Sequence, residues 1–159
     1  MKTLADVVTT NQRFSRSVNV DRDHGPESIE GYLPTGRAID VIRRFARGFA
    51  DPRLGRAFSV TGPHGGGKSS LAVFLDALLA KRRGAEHQAA IGLLTDADPQ
   101  VSEMFRAGLS SLDPQGQGFL RLFVTAHREP VTTTLARGLV GAAEREFGTR
   151  QKKTPPAFK

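Results

Sequence analysis

Gly62-Pro63-His64-Gly65-Gly66-Gly67-Lys68-Ser69 fits the phosphate-binding pattern G-x-x-x-x-G-K-[ST], and this stretch decides the prediction of the fold. Residues 56–61, directly before it, form the short apolar run RAFSVT, which predicts a buried strand. Residues 70–83, directly after it, carry apolar side chains at helical spacing. A strand, a glycine-rich loop and a helix in this order distinguish a true phosphate-binding loop from a chance match. The sequence therefore predicts a site for the phosphates of a nucleoside triphosphate.

The backbone of this loop is suited to an anion. Glycine adopts dihedrals that a Cβ forbids, so glycines let consecutive N–H groups curl around a phosphate; they stand at Gly62, Gly65, Gly66 and Gly67. Pro63 fixes one φ angle and limits the entropy that the loop loses on closing around a ligand. His64 is interpreted as a residue packed beside the phosphates, without a chemical role.

The side chains after the glycines supply the charge and the metal ligand. Lys68 is the candidate catalytic residue, because its ammonium group can reach the β- and γ-phosphates. The hydroxyl of Ser69 is placed to ligate Mg²⁺, and Ser70 is expected to donate to the α-phosphate. The expected cofactors are therefore ATP and Mg²⁺. ATP is preferred to GTP because the sequence contains no base-reading motif of the N-K-x-D type.

Composition limits the class of protein. The 159 residues suit one compact domain, and the absence of cysteine excludes disulfides and favours a cytoplasmic location. Residues 1–8 lack the apolar run of a secretory signal, and no stretch approaches the roughly 20 apolar residues of a membrane span. The net charge of +7 makes nucleic acid a candidate partner, but the basic residues are scattered rather than gathered in a stripe.

The chain divides into a polar N-terminal segment (1–33), an incomplete ATP-binding domain (34–147) and a disordered basic tail (148–159). Helices are predicted at about 35–49, 69–81, 85–112 with a break near 95–99, and 131–147. Gly84 is expected to cap the second helix at its C-terminus, and residues 119–125 predict a second strand. These elements predict an α/β fold, a partial three-layer α/β/α core that is rich in helix and has few strands.

An acidic residue at the end of a second core strand is the component that the sequence does not supply clearly. The candidate is Asp96, but the apolar residues before it follow a helical period, so it is interpreted as a helix-terminating aspartate. The second predicted strand ends in Thr125-Ala126-His127 and contains no acid. The expectation is therefore that this chain is the front half of a larger ATPase.

A segment ahead of the first predicted strand adds a resemblance to a family. Gly31-Tyr32-Leu33-Pro34-Thr35-Gly36-Arg37, an amphipathic helix and then Arg56–Pro63 resemble the start of the ATPase module in AAA+-related and STAND-type P-loop NTPases. In those families such a segment packs over the adenine base, so the resemblance implies that Tyr32, Leu33 and Pro34 line the base pocket. The layout of the chain also resembles the N-terminal end of large bacterial P-loop proteins, including ones that act in defence against phage.

Three functions follow as hypotheses. The first is an ATP-binding domain of a larger ATPase, in which the nucleotide state drives conformational change or assembly with a second copy or a downstream effector domain. The second is a module that holds nucleotide without turnover, or one associated with nucleic acid. The third is a small-molecule kinase, for which the sequence lacks a D-x-D or D-R-x motif at the end of a core strand. No membrane partner is expected.

Overall fold

The computed structural model describes residues 18–20, 22–125 and 127–148, and within them the regular structure is entirely helical. A 3₁₀ turn at Pro26–Ile29 precedes five α-helices. They are α1 (Gly36–Ala50), α2 (Lys68–Leu78), α3 (Ala85–Ala97), α4 (Pro99–Leu112) and α5 (Val131–Phe147). The predicted helices at 35–49, 85–112 and 131–147 are confirmed, including the break between α3 and α4. The prediction of a disordered tail concerns residues that, beyond Gly148, lie outside the described part of the chain.

Side chains at the helix starts explain two of these boundaries. The Thr35 hydroxyl accepts a hydrogen bond from the backbone N–H of Ala38 at the start of α1 (3.3 Å). The Asp98 carboxylate accepts one from the N–H of Val101 (3.0 Å) at the start of α4. Such caps satisfy N–H groups that have no partner within the helix, and an exposed cap typically contributes about 1 kcal/mol. Both residues belong to the types that favour this position, which is why the sequence predicted these helices well.

The end of α2 differs from the prediction. The helix stops at Leu78, three residues before the expected end, and Gly84 is the N-cap of α3 instead of the C-cap of α2. Residues 79–83 form turns, and the N–H of Arg82 donates to the carbonyl of Gly116 (3.1 Å). A contact with a residue far along the chain therefore competes with continuation of the helix, and local helical periodicity cannot report it.

The core lies between α1, α2, α3 and α4. Helix α1 packs most extensively on α4. The two backbones approach closely at Gly108, where an added Cβ would lie 3.0 Å from the carbonyl oxygen of Ala46 and 3.0 Å from Phe49 Cβ. The N-terminal segment joins this core through Ile29, which is almost fully buried and sits on the 3₁₀ turn that contacts α2 and α3. Fully buried side chains of the four helices include Ile42, Phe74, Leu78, Leu94 and Phe105.

The expected α/β three-layer core is wrong for the residues that the structure describes. They contain no strand and no sheet, and more than half of them are helical. Residues 56–61 and 119–125, the two predicted strands, have no regular structure. The described backbone hydrogen bonds tie residues 119–124 to the helices at one point, from the N–H of Phe119 to the carbonyl of Leu79 (3.3 Å).

Side-chain contacts with helices hold the two segments in place of strand pairing. Phe58 stacks on Phe45 of α1 with ring centroids 4.1 Å apart, and Arg56 Nε donates to the carbonyl of Gly48 (3.0 Å). The second segment lies between α2 and α5, because its Arg121 contacts Asp76 on α2 and accepts, at its carbonyl, a hydrogen bond from Arg145 on α5. An apolar run predicts burial, whereas a strand also needs a neighbouring backbone with which to pair.

Candidate functional site

The glycine-rich loop, residues 62–67, leads directly into α2. Its residues are exposed, and Gly65 and Gly67 have positive φ angles of 76° and 78°. Non-glycine residues rarely adopt this left-handed conformation, so the chain needs glycine at both positions. The N–H of Gly66 donates to the carbonyl of Pro63 (3.2 Å), which closes a turn inside the loop. The predicted passage from loop to helix is confirmed, since α2 begins at Lys68, but the predicted strand before the loop is wrong, because residues 56–61 have no regular structure.

The N-terminus of α2 has backbone donors available for an anion. Gly67 is the N-cap and, being glycine, supplies no side-chain hydrogen bond to the first turn. The first intrahelical bond runs from the N–H of Leu71 to the carbonyl of Gly67 (2.9 Å). The N–H groups of residues 68–70 precede it, and helix geometry gives such groups no partner within the helix. Together with the positive end of the helix dipole, they favour a bound phosphate.

Lys68 brings a cation to the same place. Its Nζ atom donates to the carbonyl oxygens of Gly62 (2.9 Å) and Pro63 (2.7 Å), so the side chain folds back over the loop. An ammonium group has three N–H donors, and these two bonds leave one for a ligand. The positive charge is thus positioned beside the helix N-terminus before any anion binds.

The other predicted site residues lie in the loop and in the first turn of α2. Ser69 is exposed and Ser70 is half-buried, and both lie in the first turn of α2. Pro63 and His64 are exposed within the loop. The hydroxyl of Ser69 is a hard oxygen donor of the kind that Mg²⁺ accepts together with phosphate oxygens. The described residues contain no group of three or more His, Cys, Asp or Glu side chains able to hold a metal by themselves. Magnesium at Ser69 would therefore take its remaining ligands from phosphate oxygens and water.

Tyr32, the predicted contact of the base, lies against the second turn of α2. Its ring packs on Phe74 with centroids 4.7 Å apart, and burial raises the pKa of its hydroxyl. The next residue, Leu33, is 79% exposed. The structure thus separates the predicted apolar stretch into a tyrosine packed at the edge of the core and a leucine that faces solvent.

A buried charge cluster beyond the loop was missed by the sequence analysis. Asp76 on α2 is almost completely buried, and its Oδ1 atom lies 2.9 Å from Arg121 Nη1, although not in hydrogen-bonding geometry. His24 Nδ1 lies 3.4 Å from Oδ2, and Glu86 lies 3.6 Å from Arg121. Burial raises the pKa of Asp76, and the charge of Arg121 opposes that rise. The available signal was a single aspartate inside the apolar run LAVFLDALL.

Asp96, the candidate for the acidic residue at the end of a second core strand, lies exposed in the last turn of α3. This position agrees with its interpretation as an aspartate at a helix end.

Comparison of the chain with models of protein families, with curated proteins and with solved structures found no match. The length and hydropathy of the helices in the described part of the chain rule out each of them as a membrane span.

Proposed function

We propose that residues 62–70 bind the phosphates of Mg-ATP. The observation that carries the proposal is the position of the Lys68 ammonium group, which is held on the loop carbonyls beside the uncapped N-terminus of α2. A positive charge and free backbone donors thus lie together at one exposed loop, and Ser69 follows Lys68 in the first turn of α2. In this arrangement the backbone N–H groups hold the phosphates, Lys68 neutralises the charge of the β- and γ-phosphates, and Ser69 ligates Mg²⁺.

Equilibrium binding of a fluorescent ATP analogue tests this proposal. We expect saturable binding in the presence of Mg²⁺ and a loss of at least about tenfold in Lys68→Ala, because a charge-assisted contact to phosphate is removed. Lys81→Ala is the matched control, since Lys81 is an exposed lysine beyond the C-terminus of α2 that pairs with Glu146. Equal binding by the wild type and Lys68→Ala, or no binding by the wild type, would contradict the proposal. Phosphate release in the same samples separates binding from hydrolysis.

The proposal also includes a binding surface for the adenine base of ATP. Leu33 offers an exposed apolar surface next to Tyr32, whose ring is fixed against α2. If the adenine base lies on this surface, Leu33→Ser will weaken the binding of ATP and leave the binding of inorganic tripolyphosphate unchanged. Equal loss for both ligands, or no loss for ATP, would remove Leu33 from the base pocket and leave the phosphate site intact.

The biological use of the nucleotide is proposed from the resemblance to ATPase modules. We propose that bound Mg-ATP changes the conformation or the assembly of a larger ATPase. Light scattering with and without Mg-ATP measures assembly, and Lys68→Ala is again the control. A mass that does not depend on nucleotide would exclude assembly of this chain with itself.

A further inference from the structure

A cavity lies beyond the end of α2 that is opposite the glycine-rich loop. It has a volume of about 300 Å³ and opens between α3, α4 and the turn that follows α2. This size is at the lower end of the range of small-ligand pockets, about 300–1,000 Å³. Ile91 and Leu109 form its apolar walls. Its polar and charged lining comes from the turn after α2, from α3 and from α4, chiefly through Arg82, His87, Arg106 and Ser110.

Arg82 is held rigidly at one side of this cavity. Its guanidinium group donates to Ser110 Oγ (3.1 Å) and to the carbonyls of Asp113 and Pro114 (2.7 Å each). Its backbone is fixed as well, because its carbonyl accepts a hydrogen bond from the side chain of Gln88. All of these acceptors are neutral, so the positive charge of Arg82 is oriented by the fold without being neutralised by them.

Arg106 brings a second cation to the same cavity from α4. It makes one long hydrogen bond, from Nη2 to Thr95 Oγ1 (3.3 Å), and is otherwise exposed. Among the described residues neither Arg82 nor Arg106 forms an ion pair with a carboxylate. The nearby carboxylate of Asp113 is engaged elsewhere, since it accepts hydrogen bonds from the N–H groups of Gln117 and Gly118.

His87 forms the buried wall, with only 4% of its surface exposed. Its Nδ1 atom lies 3.0 Å from the carbonyl oxygen of Leu78. A carbonyl oxygen only accepts hydrogen bonds, so Nδ1 carries the ring proton. Burial lowers the pKa of His87, the hydrogen bond with Leu78 opposes this effect, and the charges of Arg106 and Arg82 add to the lowering. The net direction is downward, so the ring is neutral at pH 7. Two arginines that form no ion pair with the described carboxylates thus line a cavity together with a neutral imidazole, and the cavity lining contains no acidic residue.

We propose that this cavity binds the phosphoryl group of a small molecule, with the phosphate oxygens between Arg82 and Arg106 and any apolar part on Ile91 and Leu109. The planar guanidinium fork matches phosphate oxygens in geometry and in charge. This site is separate from the proposed Mg-ATP site, because the cavity shares no lining residue with the glycine-rich loop.

The test uses Lys68→Ala, so that phosphate binding at the glycine-rich loop does not contribute. The chain has four histidines, and the ring proton signal of His87 is assigned by comparison with His87→Asn. Inorganic phosphate and phenyl phosphate are titrated separately at constant ionic strength, with sodium chloride as the reference. We expect a saturable shift of the His87 signal, and a dissociation constant that rises about tenfold in Lys68→Ala/Arg106→Gln.

Arg106 is the residue to change because it is exposed and makes a single long hydrogen bond, to Thr95, whereas Arg82 anchors the turn at residues 113–116. Lys68→Ala/Arg44→Gln is the control, since Arg44 is an exposed arginine on α1 outside the cavity lining. Tighter binding of phenyl phosphate would identify a phosphate monoester, and equal binding would identify the free ion; both support the site. A His87 signal that does not saturate, or one that is unchanged by Arg106→Gln, would overturn the proposal.

Discussion

Arg121 Nη1 lies 2.9 Å from the Oδ1 atom of Asp76 and also donates to the backbone carbonyl of Asp76 (2.6 Å). This pair joins residues 119–125, the second of the two predicted strands, to α2. The side chain of Arg121 contacts helix α2, so the contact fixes the position of the segment without strand pairing. In turn, the burial of the Asp76 carboxylate depends on Arg121, because few other positively charged groups lie near it.

Removal of Arg121 should therefore destabilise the fold. In Arg121→Met we expect the free energy of unfolding to fall by about 2 kcal/mol, because breaking a buried pair leaves an uncompensated charge. The expected loss is below the roughly 3–5 kcal/mol of fully buried pairs, since His24 remains near Asp76 and Arg121 is 23% exposed. Urea-induced unfolding measures the change.

The control for this experiment is Arg128→Met, which alters an exposed arginine. The double variant Asp76→Asn/Arg121→Met should lose less stability than the sum of the two single variants. Additive losses would show that the two residues are not energetically coupled.

Two glycines in helix interiors should respond to the same substitution with opposite signs. Gly92→Ala in α3 should stabilise the protein by about 0.5–1 kcal/mol, because alanine is the better helix former and nothing lies within 4 Å of the added Cβ. Gly108→Ala in α4 brings the same gain in propensity, but its Cβ would lie 3.0 Å from the Ala46 carbonyl oxygen. We expect it to lower the thermal unfolding temperature. A stabilising Gly108→Ala would contradict the close packing of α1 on α4.

Stability should fall in mild acid because of His87. The pKa of His87 is lowered in the folded state, so the unfolded chain takes up a proton on this ring at a higher pH than the folded chain does. Its contribution to stability is complete above the unfolded pKa of about 6.5, and it is lost as the pH falls through that value toward the folded pKa. The slope reaches at most about 1.4 kcal/mol per pH unit.

His87→Asn is the variant to compare in this pH series. The amide N–H of asparagine can replace the donor to the Leu78 carbonyl, while the side chain has no proton to gain in this range. We expect a smaller dependence of the urea midpoint on pH between about 6.5 and 5 than in the wild type. Identical slopes for the two proteins would show that His87 does not govern this part of the profile.

The proposed magnesium ligand can be tested by a ratio of affinities. Ser69→Ala removes one oxygen ligand of Mg²⁺ and leaves the contact of Lys68 with the phosphates in place. The affinity for ATP measured with Mg²⁺, divided by the affinity measured in EDTA, should therefore fall several-fold. Ser69 is exposed, and the far-ultraviolet circular dichroism should stay unchanged. An unchanged ratio would remove Ser69 from the proposed metal site.

The helices and the glycine-rich loop were predictable because their determinants are local. Thr35 and Asp98 lie within three residues of the N–H groups that they cap, and the positive φ angles of Gly65 and Gly67 are demanded by the loop itself. The period of apolar residues in α1, α3, α4 and α5 likewise requires only the helix's own hydrogen bonds and one buried face.

The tertiary structure alone decided the features that depend on distant residues. Apolar runs at 56–61 and 119–125 did not become strands, because strands require backbone partners and these segments rest on α1, α2 and α5 through side chains. The early end of α2 depends on the hydrogen bond from the N–H of Arg82 to the carbonyl of Gly116. The burial of the Asp76 carboxylate depends on the ion pair with Arg121. Each of these interactions joins residues more than ten positions apart, and a sequence pattern carries no record of which distant partner folding will bring near.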